Sequence, residues 1–328
     1  MVKVAFWDNR LCERGTTVAL FDYAYYNVKL LGNESYIFYD INREDNKEDV
    51  INKFKKHFCV IGLNGFNEIH MYLEHMGIMF LYNIKYGTND GKITEHAHTL
   101  IHAVFECEPH GSDRDVYVSL SSVLKNYNPS IPIFPHMVNL PDNFKNMRKE
   151  LDIPADSMVF GRYGGKGEFD IPFVHNIVYQ VALKNPKIYF LFANTNEFCP
   201  KLPNIIHIPA VIDLHKKVEF INTCDAMIHA RYRGETFGLS IAEFSSKNKP
   251  VLCSSIHEGE DEHLRILGNK AIVYNENDLY FILTNLTRGF IELRDWNAYR
   301  DYTPENVMKI FNDVFIKRFL EPNVEPTI

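Results

Sequence analysis

The sequence predicts an α/β protein built on two parallel sheets, each covered by helices on both faces. Three observations carry this expectation. Short apolar runs alternate with amphipathic stretches almost throughout, the rhythm of strand-helix units. The 328 residues are enough for two domains rather than one. Between the halves lies "NPSIPIFPHMVNLPDN", Asn128–Asn143, which concentrates prolines and turn formers and is read as the linker.

In the first half, strands are expected at Val2–Trp7, Ser35–Tyr39, Cys59–Leu63, Gly77–Tyr82, Leu100–Phe105 and Val116–Ser119. Helical patterns separate them at Thr16–Leu31, Asp49–His57 and Asn67–Met76, and a further helical stretch is expected at Ser121–Asn126. A short helix at Phe144–Leu151 should lead into the second half. There strands are predicted at Met158–Arg162, Ile188–Ala193, Ile205–Ile208, Ala226–His229, Val251–Ser254 and Ala271–Tyr274, with helices at Asp170–Lys184 and Leu214–Thr223. "TPENVMKIFNDVFIKRFL", starting at Thr303, has a Thr-Pro-Glu start and an apolar stripe at Val307, Ile310, Phe311, Val314, Phe315 and Phe319, as in a capped amphipathic helix.

Composition narrows the function. Hydrophobic residues make up 46% and charged ones 23%, as in a globular protein with a sizeable core. Lys and Arg number 35 against 42 Asp and Glu, a net charge of −7, and there is no basic stripe, so nucleic acid is not an expected partner. The six cysteines are scattered without zinc spacing, and several sit in apolar runs, which favours a reducing compartment. No signal peptide or membrane-length apolar run is present, so a cytoplasmic location is expected.

Two motifs invite chemistry. The first is "GETFGLSIAE", Gly234–Glu243, after the strand "AMIHAR" and before the strand "PVLCSS". In open parallel sheets ligands bind beyond the carboxyl ends of strands, and this loop lies at such an end. A helix starting near Thr236 would offer free N–H groups to an anion. Glu235 would stand at its mouth and Glu243 roughly 12 Å further along the axis. The residues alone fit two readings. The acids either cap and decorate a helix, or accept bonds from hydroxyls at the two ends of a diphosphate ligand.

The second motif is "VFGRYGGKGEFD", Val159–Asp170, where four glycines permit close backbone approach and Arg162 and Lys166 bring two cations to one strand end. It is either an anion cradle or a simple turn. Gly15 precedes the first helix, but there is no GxGxxG, which argues against a dinucleotide at that turn. His96, His98, His102 and His110 cluster in sequence, yet no HExxH motif or Cys partner accompanies them, so no metal site is expected. "HEGEDEH", His257–His263, looks like an acidic helix start and is assigned no chemistry.

Glu235 and Glu243 with seven residues between them, the "GETFG" loop, the Pro-Val strand behind it and the Gly-Arg turn together resemble the retaining nucleotide-sugar glycosyltransferases of family 4. The likeness is strongest over Val159–Tyr274. It implies the GT-B fold, two Rossmann-like domains facing across a cleft. The boundaries would be 1–143 for the N-terminal, acceptor-side domain and 144–302 for the nucleotide-sugar-binding domain, with a C-terminal helix, 303–328, crossing back to the first.

By this resemblance Glu235 contacts the donor sugar, Thr236, Phe237 and Gly238 supply backbone near sugar and diphosphate, and Glu243 holds the ribose. Arg162 and Lys166 correspond to the cationic pair on the diphosphate, although here they stand one residue closer than the family's usual spacing. Gly15 matches the N-terminal glycine loop near the donor phosphates, without the usual doubled glycine, and His102 matches a histidine near the reacting sugar. The resemblance also implies transfer of a hexose or similar sugar from a UDP or GDP donor to a hydroxyl acceptor such as a glycan. No cofactor or metal is implied. The leaving phosphate takes the acceptor's proton, which leaves the protein to position the reactants and stabilise charge. Rival readings are a sugar-nucleotide epimerase of the same fold, a phosphorylase, which would need a pyridoxal lysine and a longer chain, and a binding module that has lost transfer.

Overall fold

The computed structural model describes residues 1–320. The chain divides into two compact units, Met1–Met137 with the segment from Asp301, and Val138–Arg300.

The first unit runs β1 (Lys3–Asp8), α1 (Gly15–Lys29), β2 (Glu34–Asp40), α2 (Glu48–Lys55), β3 (Cys59–Leu63), α3 (Ile69–Met76), β4 (Phe80–Lys85), β5 (His98–Ala103) and β6 (Val116–Ser119). The six strands form one sheet in the order β3-β2-β1-β4-β5-β6, with every neighbouring pair parallel. β1 and β4 at its centre are buried almost end to end, which is why β1 appears in sequence as the unbroken apolar run Val4–Trp7, whereas β4 also buries the polar Asn83 and Lys85.

The second unit begins with β7 (Met158–Tyr163), α4 (Pro172–Lys184), β8 (Ile188–Ala193), β9 (Ile205–Ile208), α5 (Leu214–Thr223) and β10 (Ala226–His229). It continues through β11 (Gly234–Glu235), α6 (Leu239–Ser246), β12 (Val251–Ser254), β13 (Glu260–Asp261), α7 (Glu262–Leu267), β14 (Ala271–Tyr274), α8 (Leu279–Asn285) and α9 (Arg288–Glu292). Its parallel sheet has the order β14-β12-β10-β7-β8-β9, and β11 pairs separately with β13. Phe160, Phe190 and Phe192 from the central strands meet Val174 and Val178 of α4 in a buried core.

Beyond Asp301 the chain forms α10 (Pro304–Phe311), a π-helical turn (Asn312–Ile316) and α11 (Lys317–Leu320). The Thr303 hydroxyl caps it, accepting from the Asn306 N–H at 3.3 Å. Phe311 stacks on Phe6 with ring centres 6.4 Å apart, and Phe315 meets Phe80 edge-on at 5.2 Å, so this helix packs on the first sheet. Residues 321–328 of the expected terminal helix lie outside the described residues.

Two short helices expected from sequence are absent. Ser121–Asn126 forms turns, because the Lys125 carbonyl accepts from Cys107 N–H at 2.7 Å and Asn126 takes a φ of 61°. Phe144–Leu151 is also turn-like. The N–H groups of Met147 and Lys145 go to side chains, Thr223 Oγ1 at 2.7 Å and Asn143 Oδ1 at 3.0 Å, and the helical bond from Leu151 N–H to the Met147 carbonyl at 2.9 Å is not continued into a ladder. Among the described residues no helix is long and apolar enough to cross a membrane.

Candidate functional site

At the carboxyl end of β7 the backbone passes Gly161, where a Cβ would lie 2.2 Å from Cys224 Sγ, so nothing larger than glycine fits without movement. Arg162 follows and is 4% exposed. Its guanidinium donates to Thr195 Oγ1 at 2.6 Å and to the Gly165 carbonyl at 2.8 Å, which folds the glycine-rich turn around it. Burial lowers its pKa to about 10, against the pull of Glu168 and Glu235, so it stays cationic at neutral pH. Lys166 is exposed, and its side chain has no hydrogen bond or ion pair among the described residues. The turn therefore presents one built-in cation and one free in solvent.

The adjacent strand, β10, delivers the second motif. Gly234 sits at φ +84° with the Glu260 carbonyl 2.0 Å from where a Cβ would stand, so the start of β11 requires glycine. Glu235 then accepts from Arg231 Nη1 at 2.9 Å and from His229 Nε2 at 3.3 Å. Burial favours its protonated form, but the His229 bond and the Arg231 charge outweigh it and lower the pKa to about 2. Arg231 also reaches Glu168 at 3.0 Å, so Glu168, Arg231 and Glu235 form one chain linking the β7 turn to the β10 loop.

Thr236 and Phe237 are buried, and the Phe237 carbonyl accepts from Tyr299 Oη at 2.8 Å. Gly238, in the left-handed region, is the residue before α6. The helix thus starts at Leu239 and not near Thr236, because a left-handed residue cannot lie inside a right-handed helix. The expected 12 Å helical separation of the two acids falls with that correction, since Glu235 belongs to a strand.

Glu243 is on α6 and 6% exposed, so it is not a decorated surface position. Lys217 Nζ of α5 donates to its Oε1 at 2.8 Å, and Tyr163 Oη donates to its Oε2. Burial, and then the Glu243 charge, push the Tyr163 phenol well above its usual pKa. Each carboxylate oxygen keeps acceptor capacity for a further donor.

Arg162, Lys166, Glu235, Thr236, Phe237, Gly238 and Glu243 all belong to the second unit, whereas Gly15 and His102 belong to the first. Gly15 is exposed at the first turn of α1. His102 is fully buried in β5. Its Nδ1 bonds Tyr82 Oη at 2.7 Å, its Nε2 has no partner, and burial drives its pKa well below the ordinary histidine value. Sequence reasoning missed Arg231, His229, Lys217 and Tyr163. Arg231 and His229 stand in the quoted "AMIHAR", and a charged residue ending an apolar strand next to an acid-bearing loop was the available signal. Lys217 lies on a distant helix and had none.

The site offers two held carboxylates as acceptors and a buried cation nearby, which is chemistry for a ligand with hydroxyls and negative charge.

No protein-family model matches the chain, and no curated protein sequence matches it. Solved structures do. A glycosyltransferase from Rickettsia africae superposes with a TM-score of 0.68 at 12% identity, over 98% of this chain and 99% of that one. Anabaena HepE in complex with UDP and glucose gives 0.66 at 11% identity, over 95% and 98%. A Listeria monocytogenes protein assigned as UDP-N-acetylglucosamine 2-epimerase gives 0.61 at 12%, over 99% and 98%. The fold is GT-B. Two six-stranded parallel sheets with interleaved helices are the GT-B architecture, and at these identities the likeness speaks for the fold and not for an activity.

Proposed function

We propose that this GT-B protein is a retaining glycosyltransferase. It moves a hexose or similar sugar from a nucleoside diphosphate sugar to a hydroxyl acceptor such as a glycan, with no metal ion on the diphosphate. The observation that carries the reading is the pairing of Glu235 and Glu243, both held by cations in one β10-α6 segment, with buried Arg162 at the end of the neighbouring strand. The UDP in the HepE complex favours a UDP-sugar over a GDP-sugar as donor.

In this reading Glu243 accepts from the ribose hydroxyls and Glu235 from those of the donor sugar. Thr236, Phe237 and Gly238 line the sugar and diphosphate. Arg162 meets the diphosphate with N–H groups beyond those spent on Thr195 and Gly165, with Lys166 adding a mobile charge. As the glycosidic bond breaks, negative charge grows on the departing diphosphate, and a preorganised guanidinium stabilises that change more than the ground state. The departing phosphate takes the acceptor's proton on the same face. By the resemblance alone, Gly15 is assigned to the loop near the donor phosphates and His102 to the reacting sugar.

Incubation with UDP- and GDP-sugars, with and without hydroxyl acceptors, tests this by release of nucleoside diphosphate and by the anomeric configuration of the product. Acceptor-dependent release with retained configuration is expected. The Listeria neighbour supports a second reading, epimerisation of the sugar nucleotide. A changed sugar without any acceptor would establish it, and binding without turnover across a broad panel would leave a binding module.

A further inference from the structure

The sheet of the second unit assembles a group that no sequence motif announced. His229 at the end of β10 is in register with Cys253 on β12, and α7 brings His263 over the pair, its ring centre 5.0 Å from that of His229. One ring nitrogen of each histidine and Cys253 Sγ lie within 4.8 Å of one another. All three residues are buried, with exposures of 5%, 0% and 1% for His229, Cys253 and His263. His263 Nδ1 has no hydrogen-bond partner, an expensive arrangement for a buried imidazole unless something else occupies its lone pair or proton.

We propose that His229, Cys253 and His263 form a zinc-binding site. One thiolate and two imidazoles are a borderline-soft donor set suited to zinc and poorly suited to magnesium or calcium. Zinc bonds of about 2.0 to 2.3 Å place tetrahedral ligand atoms roughly 3.5 Å apart, so ligand atoms within 4.8 Å of one another need to close by about 1.3 Å at most. The surroundings fit as well. Ligating histidines usually keep a carboxylate or carbonyl partner that fixes the ring, and Glu235 Oε1 already stands 3.3 Å from His229 Nε2. Three protein ligands leave the fourth position to water. The ion would tie β10, β12 and α7 together beneath Glu235. None of the three ligands is among the residues given to the donor, although His229 bonds Glu235, and zinc binding does not depend on whether the protein transfers sugar.

The test uses untagged full-length protein without any sugar nucleotide. After loading with zinc and gel filtration in metal-free buffer, about one zinc per chain is expected to remain, and zinc is expected to raise the thermal midpoint by mass action. Replacing zinc with cobalt(II) should give a thiolate-to-cobalt charge-transfer band and the visible absorption of a tetrahedral site. Cys253→Ser should abolish that band, His263→Gln should weaken zinc binding by about tenfold or more, and His75→Gln, at an exposed histidine, should change neither. A folded wild-type protein that retains no zinc and shows no thiolate band with cobalt overturns the proposal, whatever the variants do. An unchanged band in Cys253→Ser overturns it equally, because another cysteine would then be the ligand.

Discussion

Lys217 Nζ lies 2.8 Å from Glu243 Oε1, and both side chains are buried. The pair joins α5 to α6 and fixes the carboxylate that the proposed function gives to the ribose. Removing one member of such a pair leaves an uncompensated buried charge, at a cost of about 3–5 kcal/mol. The Tyr163 bond to the same carboxylate survives, so Lys217→Met should fall at the lower end of that range in urea denaturation. Lys217→Met combined with Glu243→Gln should cost clearly less than the two single changes added together. Strict additivity would show that the pair is not coupled.

Glu243→Gln tests the ribose assignment directly. With the variant held well below its melting temperature, nucleoside diphosphate affinity should drop by roughly 1–3 kcal/mol, the value of a lost charged hydrogen bond. Calorimetry showing unchanged affinity would return Glu243 to a purely structural role.

Arg162 is the sharper case. Its fork already binds Thr195 and Gly165, so it is preorganised rather than recruited by the ligand. Arg162→Met should lower turnover by roughly a hundredfold or more, in line with loss of an oxyanion-type donor, with a smaller loss of donor affinity. Lys166→Met, at an exposed and unpaired position, should be milder. Normal kcat with only a raised donor KM would make Arg162 a binding residue with no part in the chemical step.

His102 and His136 predict acid sensitivity. Both are buried in the first unit, their ring centres 5.5 Å apart, and burial lowers the pKa of His136 to about 3 and that of His102 well below its ordinary value. The native state therefore binds fewer protons than the unfolded chain, whose histidines titrate near 6.5. Their stabilising effect is complete above pH 6.5 and is lost as pH falls from there toward 3. Each histidine contributes a slope of up to about 1.4 kcal/mol per pH unit. Urea midpoints measured from pH 7 to 5 should fall, and less steeply in His136→Gln. Identical slopes in the two proteins would count against the assignment.

Gly161 makes a packing prediction. A Cβ there meets Cys224 Sγ at 2.2 Å, so Gly161→Ala should cost about 1–3 kcal/mol through overpacking. Cys224→Ala in the same chain should recover part of that loss, and the absence of any recovery would place the strain elsewhere.

The sequence by itself determined the alternation of strands and helices, and with it the two parallel sheets. Apolar runs such as "VAFW" or "FLFA" are long enough for a strand and too short for a helix, and burial on both faces demands their unbroken hydrophobicity. It also marked the β7 turn and the β10 loop, because glycines with charges at a strand end are a local signal. Helix boundaries were less legible. Gly238 delays α6 through a positive φ, and the Thr223 hydroxyl diverts the Met147 N–H from a helix, neither of which the local pattern announces. Strand order and register were decided only in three dimensions. Arg231 reaching both Glu168 and Glu235, Lys217 meeting Glu243 across 26 residues, and Cys253 standing beside His229 all depend on which strands and helices become neighbours. Those adjacencies follow from burial summed over the whole sheet, and no single stretch of sequence carries that sum.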